Sequence, residues 1–172
     1  MQTIPIISNK AGADNLIEQI RTKLLVLTWL GKSFPAVRDG YEDKLVYPAC
    51  YLNTGTKDSE KIVPDNSEKS FVFFEKNNSE ISTEYQGDNL HNLSLICWFD
   101  LKKIDKNKTY DFSNELINSV ISILKQFILV GSLNINYNYD FSNYSYVKKE
   151  KNQLLLFPFG AFKVDFKVIN NC

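Results

Sequence analysis

Residues 113–141, SNELINSVISILKQFILVGSLNINYNYDF, change period part-way along. Leu116, Val120, Leu124 and Phe127 fall on one line of a helix, with Ile117, Ile121 and Ile128 beside it. After Gly131, Leu133, Ile135, Tyr137, Tyr139 and Phe141 alternate with Asn134, Asn136, Asn138 and Asp140. The first spacing belongs to a helix and the second to a strand with one dry and one wet face. Ser113 is placed to cap the helix, Glu115 suits the positive end of its dipole, and Gly131 supplies a stop. The expected unit is therefore a helix over about 113–130 running into a β region over 132–169.

Toward the N-terminus, Leu16, Ile20, Leu24 and Leu27 again keep helical spacing, between a capping Asp14 and a terminating Gly31. This predicts a helix over about 14–30, with Ile17, Leu25 and Trp29 on a second apolar flank. Residues 33–43 read as turns, and 44–52 as a strand that Pro48 confines to an edge or an irregular position. Residues 53–69, NTGTKDSEKIVPDNSEK, are too polar to offset their ordering entropy and read as a long mobile loop. SFVFFEK at 70–76 and LHNLSLICWFDL at 90–101 are apolar on more than one face, as central strands covered on both sides are.

Toward the C-terminus, Ser142–Tyr146 is expected to turn the chain into a tyrosine-rich hairpin, and Gln153–Phe157 to form a strand. The chain closes with Phe162, Val164, Phe166 and Val168 alternating with Lys163, Asp165 and Lys167, a strand with one apolar face and one of mixed charge. The fold class is thus α+β: two helices packed on a mostly antiparallel sheet, with a long polar loop and a β-hairpin extension. At 172 residues the chain has the length of a single domain, 1–172.

Twenty basic residues balance twenty acidic ones, and only Arg21 and Arg38 are arginine, which argues against nucleic-acid readout. Cys50, Cys97 and Cys172 are odd in number and widely spaced, so they outline neither a disulfide scaffold nor a zinc site. Cys97 sits in an apolar strand and reads as core rather than nucleophile. The lone histidine, His91, has no triad or dyad partner at a diagnostic spacing, and the seven glycines form no phosphate-cradling loop. Asp100 and Asp165 are the one carboxylate pair considered, and a solvated surface is the favoured reading for both. No catalytic, cofactor-binding or metal-binding residues are assigned, no cofactor is expected, and the chain reads as a non-enzyme. It shows no signal peptide and no membrane-spanning stretch, and a reducing compartment fits its cysteines.

For the tyrosine and asparagine stripe 137–146, packing on the domain's own core ranks first, a subunit contact second and base stacking third. Lys57, Asp58, Glu60 and Lys61 in the polar loop, with Tyr137, Tyr139, Tyr144 and Tyr146 in the stripe, are the candidate subunit or partner contacts.

The order helix, strand, polar loop, two strands, helix, then β ending in FPFGAFKVDFKV (157–168) resembles that of the tail terminator, or tail completion, proteins of tailed bacteriophages and the related neck ring proteins. The likeness runs from about Asp14 to Val168. It implies a structural virion subunit that forms a homo-oligomeric ring at the head–tail junction, joining portal or adaptor to tail, assembled in the bacterial cytoplasm and touching DNA at most passively. The alternative is a small-ligand or carbohydrate binding module that uses the tyrosine-rich strand.

Overall fold

The computed structural model describes residues 2–3, 12–50, 60–81, 89–127 and 129–170. Its elements are β1 (Gln2–Thr3), α1 (Ala13–Leu24), β2 (Lys32–Ala36), β3 (Arg38–Glu42), β4 (Leu45–Cys50), β5 (Glu60–Lys61), β6 (Ser70–Ile81), β7 (Asn89–Asp100), α2 (Leu101–Ile104), α3 (Ser113–Leu124), β8 (Leu129–Asn136), α4 (Ser145–Glu150) and β9 (Phe159–Asn170). The fold is α+β.

A six-stranded sheet runs in the order β1-β2-β6-β7-β9-β8, and β3-β4-β5 form a smaller antiparallel sheet. β1, β2 and β6 pair in parallel, whereas β6, β7, β9 and β8 pair antiparallel. The two apolar strands of the sequence, β6 and β7, lie in the middle, and their apolar stretches 70–74 and 93–99 are buried on both faces, as their continuous hydrophobicity requires.

On one face, Leu16, Ile17, Ile20 and Leu24 of α1 and Leu116, Ile117, Val120 and Leu124 of α3 pack on Val72, Phe74, Leu95, Cys97, Val164 and Phe166. Each such side chain contributes on the order of 1.5–3 kcal/mol by leaving water. Arg21 is fully buried beside Glu18 of the same helix, and its Nη2 donates to the Ser33 carbonyl at 2.6 Å, tying α1 to β2. The opposite face carries Phe71, Phe73, Ile96 and Trp98. Phe34 of β2 stands beside them, and over them lie Cys50 and Ile62 from the small-sheet side and Tyr139, Phe141, Tyr144 and Val147 from the segment after β8.

Several expectations are corrected. The helix expected over 14–30 ends at Leu24, and residues 25–30 continue as turns closed by Leu27 N to Leu24 O and Leu30 N to Leu27 O. Gly31 is no helix stop: a Cβ there would meet the Ser70 carbonyl at 2.6 Å, so the position serves close strand approach. The second helix likewise ends at Leu124, not near 130, and Gly131, at φ 77°, sits inside β8 where the pairing with β9 slips between Val130 and Asn134. Glycine here marks a bulge, not a cap.

The region 33–43 holds β2 and β3 rather than turns, because Phe34 and Val37 are buried beside β6 and Val37 N donates to the Phe74 carbonyl. Pro48 lies in the middle strand of the small sheet, beyond the two-residue partner β5. Of the loop expected over 53–69, residues 53–59 lie outside the described residues. From Glu60 on the chain is built in: β5 pairs with β4, and Ile62 is buried and donates to the Pro48 carbonyl.

The tyrosine-rich hairpin does not form. β8 stops at Asn136, the chain turns so that Tyr139, Phe141 and Tyr144 enter the core, and α4 follows. Alternation alone cannot tell a strand from a segment that plunges inward at three points, since both send every second or third side chain to the core. The strand expected at Gln153–Phe157 is a single 3₁₀ turn, Asn152–Leu155.

Candidate functional site

Pairing register sets a row of polar side chains across the face opposite the helices. Glu75 of β6 pairs with Ser94 of β7, Ser94 with Asp165 of β9, and Asp165 with Asn134 of β8. Within it, Ser94 Oγ donates to Asp165 at 2.6 Å, Asn77 donates to Ser94 Oγ at 3.0 Å, and Lys163 reaches Glu75 at 2.9 Å. Tyr144 donates its hydroxyl to the other Glu75 oxygen at 2.6 Å. Burial, followed by the Glu75 charge, pushes the Tyr144 phenol far above its ordinary range, so it remains a donor. This network pins the segment after β8 onto the sheet.

Beyond the row, the bulge in β8 opens a concavity of about 520 Å³ lined by Asn77, Asn92, Asn134, Asp165 and Lys167 among others. Its volume lies within the range of ligand pockets, and among the described residues that line it there is no tyrosine or tryptophan on which a sugar ring would stack. Asp100 and Asp165, the carboxylate pair considered from the sequence, lie six registers apart along β7 and β9, about 20 Å at the rise of a strand. Asp100 is buried and accepts from the Lys102 and Lys103 backbone, which starts α2; its surface reading is corrected to a cap.

The candidate contacts separate into different environments. Lys57 and Asp58 lie outside the described residues. Glu60 and Lys61 form β5, where Lys61 Nζ stands 3.9 Å from the Tyr146 ring centre and 4.7 Å from that of Tyr47, with Glu42 as its ion partner. Lys61 and Tyr146 are thus brought together as a clasp between the small sheet and α4, to which Ser145 adds a hydrogen bond from the Val46 N–H. Tyr139 and Tyr144 are 4% and 2% exposed and belong to the core, the role ranked first for the stripe, with Tyr139 also lining the floor of a pocket beside Tyr137. Tyr137 alone of the four tyrosines is open, at 53%.

Tyr137 is not isolated. It lines a pocket of about 230 Å³ together with Phe157, Phe159, Leu155 and the carboxylate residues Asp111 and Asp140. Phe157 is 65% exposed and its neighbour Leu156 68%. No protein-family model, curated protein or solved structure matches the chain. The pocket falls below the roughly 300 Å³ at which small-molecule sites begin, and it has the size of a socket for one or two side chains. Sequence reasoning found Tyr137 but missed Leu156 and Phe157, assigning them to a strand end; the run LLLFPF, apolar immediately before a proline, was the available signal.

The remaining chemistry-bearing residues are structural. Burial pushes the Cys50 thiol up to about 11 and the Cys97 thiol well above its ordinary value, so both stay protonated and packed. His91 is buried near the start of β7 with its ring facing Gly12, and burial first, then the Lys76 charge, lowers its pKa. Among the described residues no group of three or more His, Cys, Asp or Glu is placed to hold a metal, and no helix is long and apolar enough to cross a membrane.

Proposed function

We propose that the chain is a structural subunit of a bacteriophage virion that assembles into a ring at the head–tail junction, in the position of a neck or tail terminator protein. The observation that carries the reading is the exposed trio Tyr137, Leu156 and Phe157. Large apolar side chains clustered on the surface around a side-chain-sized socket mark a protein contact, and aromatic residues dominate such contacts energetically. Phe157 opens the FPFGAF stretch that carries the resemblance, and Tyr137 belongs to the candidate contact set, so two independent lines meet at one place. A ring requires a patch of this kind on one side of the subunit and a different complementary surface on the other. The two-faced sheet, rigidly covered by helices on one side and by the clasped tyrosine segment on the other, offers a scaffold stiff enough to hold both.

The test is the native mass of the full chain over a wide concentration range, with negative-stain images of the same samples, followed by co-sedimentation with purified portal, adaptor and tail-tube proteins. A ring of one defined stoichiometry, alone or on those partners, supports the reading. A chain that neither associates nor binds any of them overturns it.

A further inference from the structure

Resting on that reading, we propose that the pocket between Tyr137 and Phe157 is the acceptor half of the subunit interface and that it receives Arg38 of a second copy of this chain. The pocket is lined by exposed Tyr137 and Phe157 together with Asp111 and Asp140, and among the described residues no lysine or arginine lines it. Each carboxylate is only partly engaged: Asp111 accepts from the Ser113 N–H at 2.9 Å, and Asp140 pairs with exposed Lys148 at 2.9 Å. Aromatic faces beside carboxylates suit a guanidinium, which stacks with its plane and pairs with its edge.

The chain holds two arginines. Arg21 is consumed inside the fold by Glu18 and Ser33. Arg38 is exposed at the start of β3 and has no ion partner among the described residues. It cannot reach its own pocket. Arg38 follows the rung in which Ala36 of β2 meets Phe74, while the pocket sits at the rung of Phe99 and Gly160, where β6 contributes Ser70. Four residues along the strands and three strand spacings across the sheet put the two about 20 Å apart. A donor at one corner of the sheet and an acceptor at the other make a head-to-tail contact, the arrangement that closes into a ring when each copy turns by a fixed angle.

The experiment compares full-length chains by mass photometry and sedimentation velocity: the unaltered protein, Arg38→Glu, the double variant Asp111→Lys with Asp140→Lys, and an equimolar mixture of the two variants. Thermal melts establish that each variant is folded, and the exposed Arg38→Glu is the arm that leaves the core untouched. Each variant alone is expected to stay monomeric at concentrations at least tenfold above those at which the unaltered chain associates. The mixture is expected to associate again, because the acidic side chain of the Arg38→Glu copy then meets the lysine-rimmed pocket of the other variant, while that variant's Arg38 meets an unaltered pocket. Association of Arg38→Glu at unchanged concentration overturns this contact and leaves the ring reading standing. Loss in both variants without recovery in the mixture also overturns it, as does an unaltered chain that never self-associates; binding to portal or tail proteins in that last case assigns the patch to a virion partner instead.

Discussion

Lys163 Nζ lies 2.9 Å from Glu75 Oε2, with the two side chains 16% and 13% exposed, and Tyr144 holds the other Glu75 oxygen. A lysine, a glutamate and a tyrosine from β9, β6 and the loop before α4 thereby close the edge of the aromatic core. Removing one partner of a half-buried charged pair costs more than the pair contributes, because the survivor is left poorly solvated. Lys163→Met is therefore expected to destabilise the domain by about 2–3 kcal/mol, and Tyr144→Phe by about 1–2 kcal/mol. Urea denaturation of each variant and of the double variant checks this; additive losses would show that the three groups do not act as one network.

A deeper version of the same logic applies to Arg21, which is fully buried beside Glu18 and bound to the Ser33 carbonyl. Arg21→Ala takes the arginine away from the buried Glu18 carboxylate and the Ser33 carbonyl, and a loss of about 3–5 kcal/mol is expected. Adding Glu18→Leu should return a substantial part of it by removing the buried charge that Arg21 balances. Chemical denaturation of the single and double variants decides the point.

His91 makes stability depend on pH in a window that no other side chain of ordinary pKa occupies, since it is the only histidine. Burial and the neighbouring Lys76 lower its folded-state pKa below the unfolded value near 6.5, so between the two values the unfolded chain holds the proton and the folded chain does not. Stability is then fully present above about pH 6.5 and falls as the pH drops toward the folded pKa. Lys76 itself pairs with Asp14 at 3.1 Å, which ties this site to the start of α1. Unfolding free energies measured from pH 8 to 5.5 should show the decline, and His91→Gln should flatten it.

The surface patch predicts a separation of stability from assembly. Phe157 is 65% exposed, so Phe157→Ser should change the unfolding free energy by no more than about 0.5 kcal/mol. It should nonetheless abolish self-association or partner binding, because the aromatic wall of the socket is gone. Equal association of Phe157→Ser and the unaltered chain, by mass photometry, would remove the observation on which the functional reading stands.

Much of this architecture was legible in the sequence, and the failures share a physical cause. The helical lines through Leu16 and Leu116, the two-faced burial of β6 and β7, and the alternation Phe162 to Val168 all reflect periodicity imposed by one extended interface. What local pattern cannot carry is which long-range surface a residue meets. Ile62 stands in a polar run yet is buried because the small sheet offers it a place, and Tyr139 and Tyr144 resemble a strand's dry face while belonging to a segment folded down on Phe73. The polar row from Glu75 to Asn134 could not be read at all, since it exists only through the pairing register of four strands.

Gly160 gives a last prediction, inside the FPFGAF stretch. A Cβ at this position would stand 2.7 Å from Phe99 Cζ and 2.8 Å from its Cε2, closer than carbon atoms approach. The Phe99 ring is 3% exposed and tilted against Phe162 at 6.2 Å between centres, so to admit the new methyl it must shift against β9 or toward the adjoining pocket. The glycine is there because the ring lies across the backbone, not to allow an unusual turn. Gly160→Ala is expected to cost about 1–3 kcal/mol, the range for overpacking a filled core, even though alanine ordinarily stiffens the unfolded chain in its favour. Pairing it with Phe99→Leu should recover part of the loss, and a double-mutant cycle by denaturant unfolding measures the coupling; full additivity would mean that Phe99 is not the residue that demands glycine here.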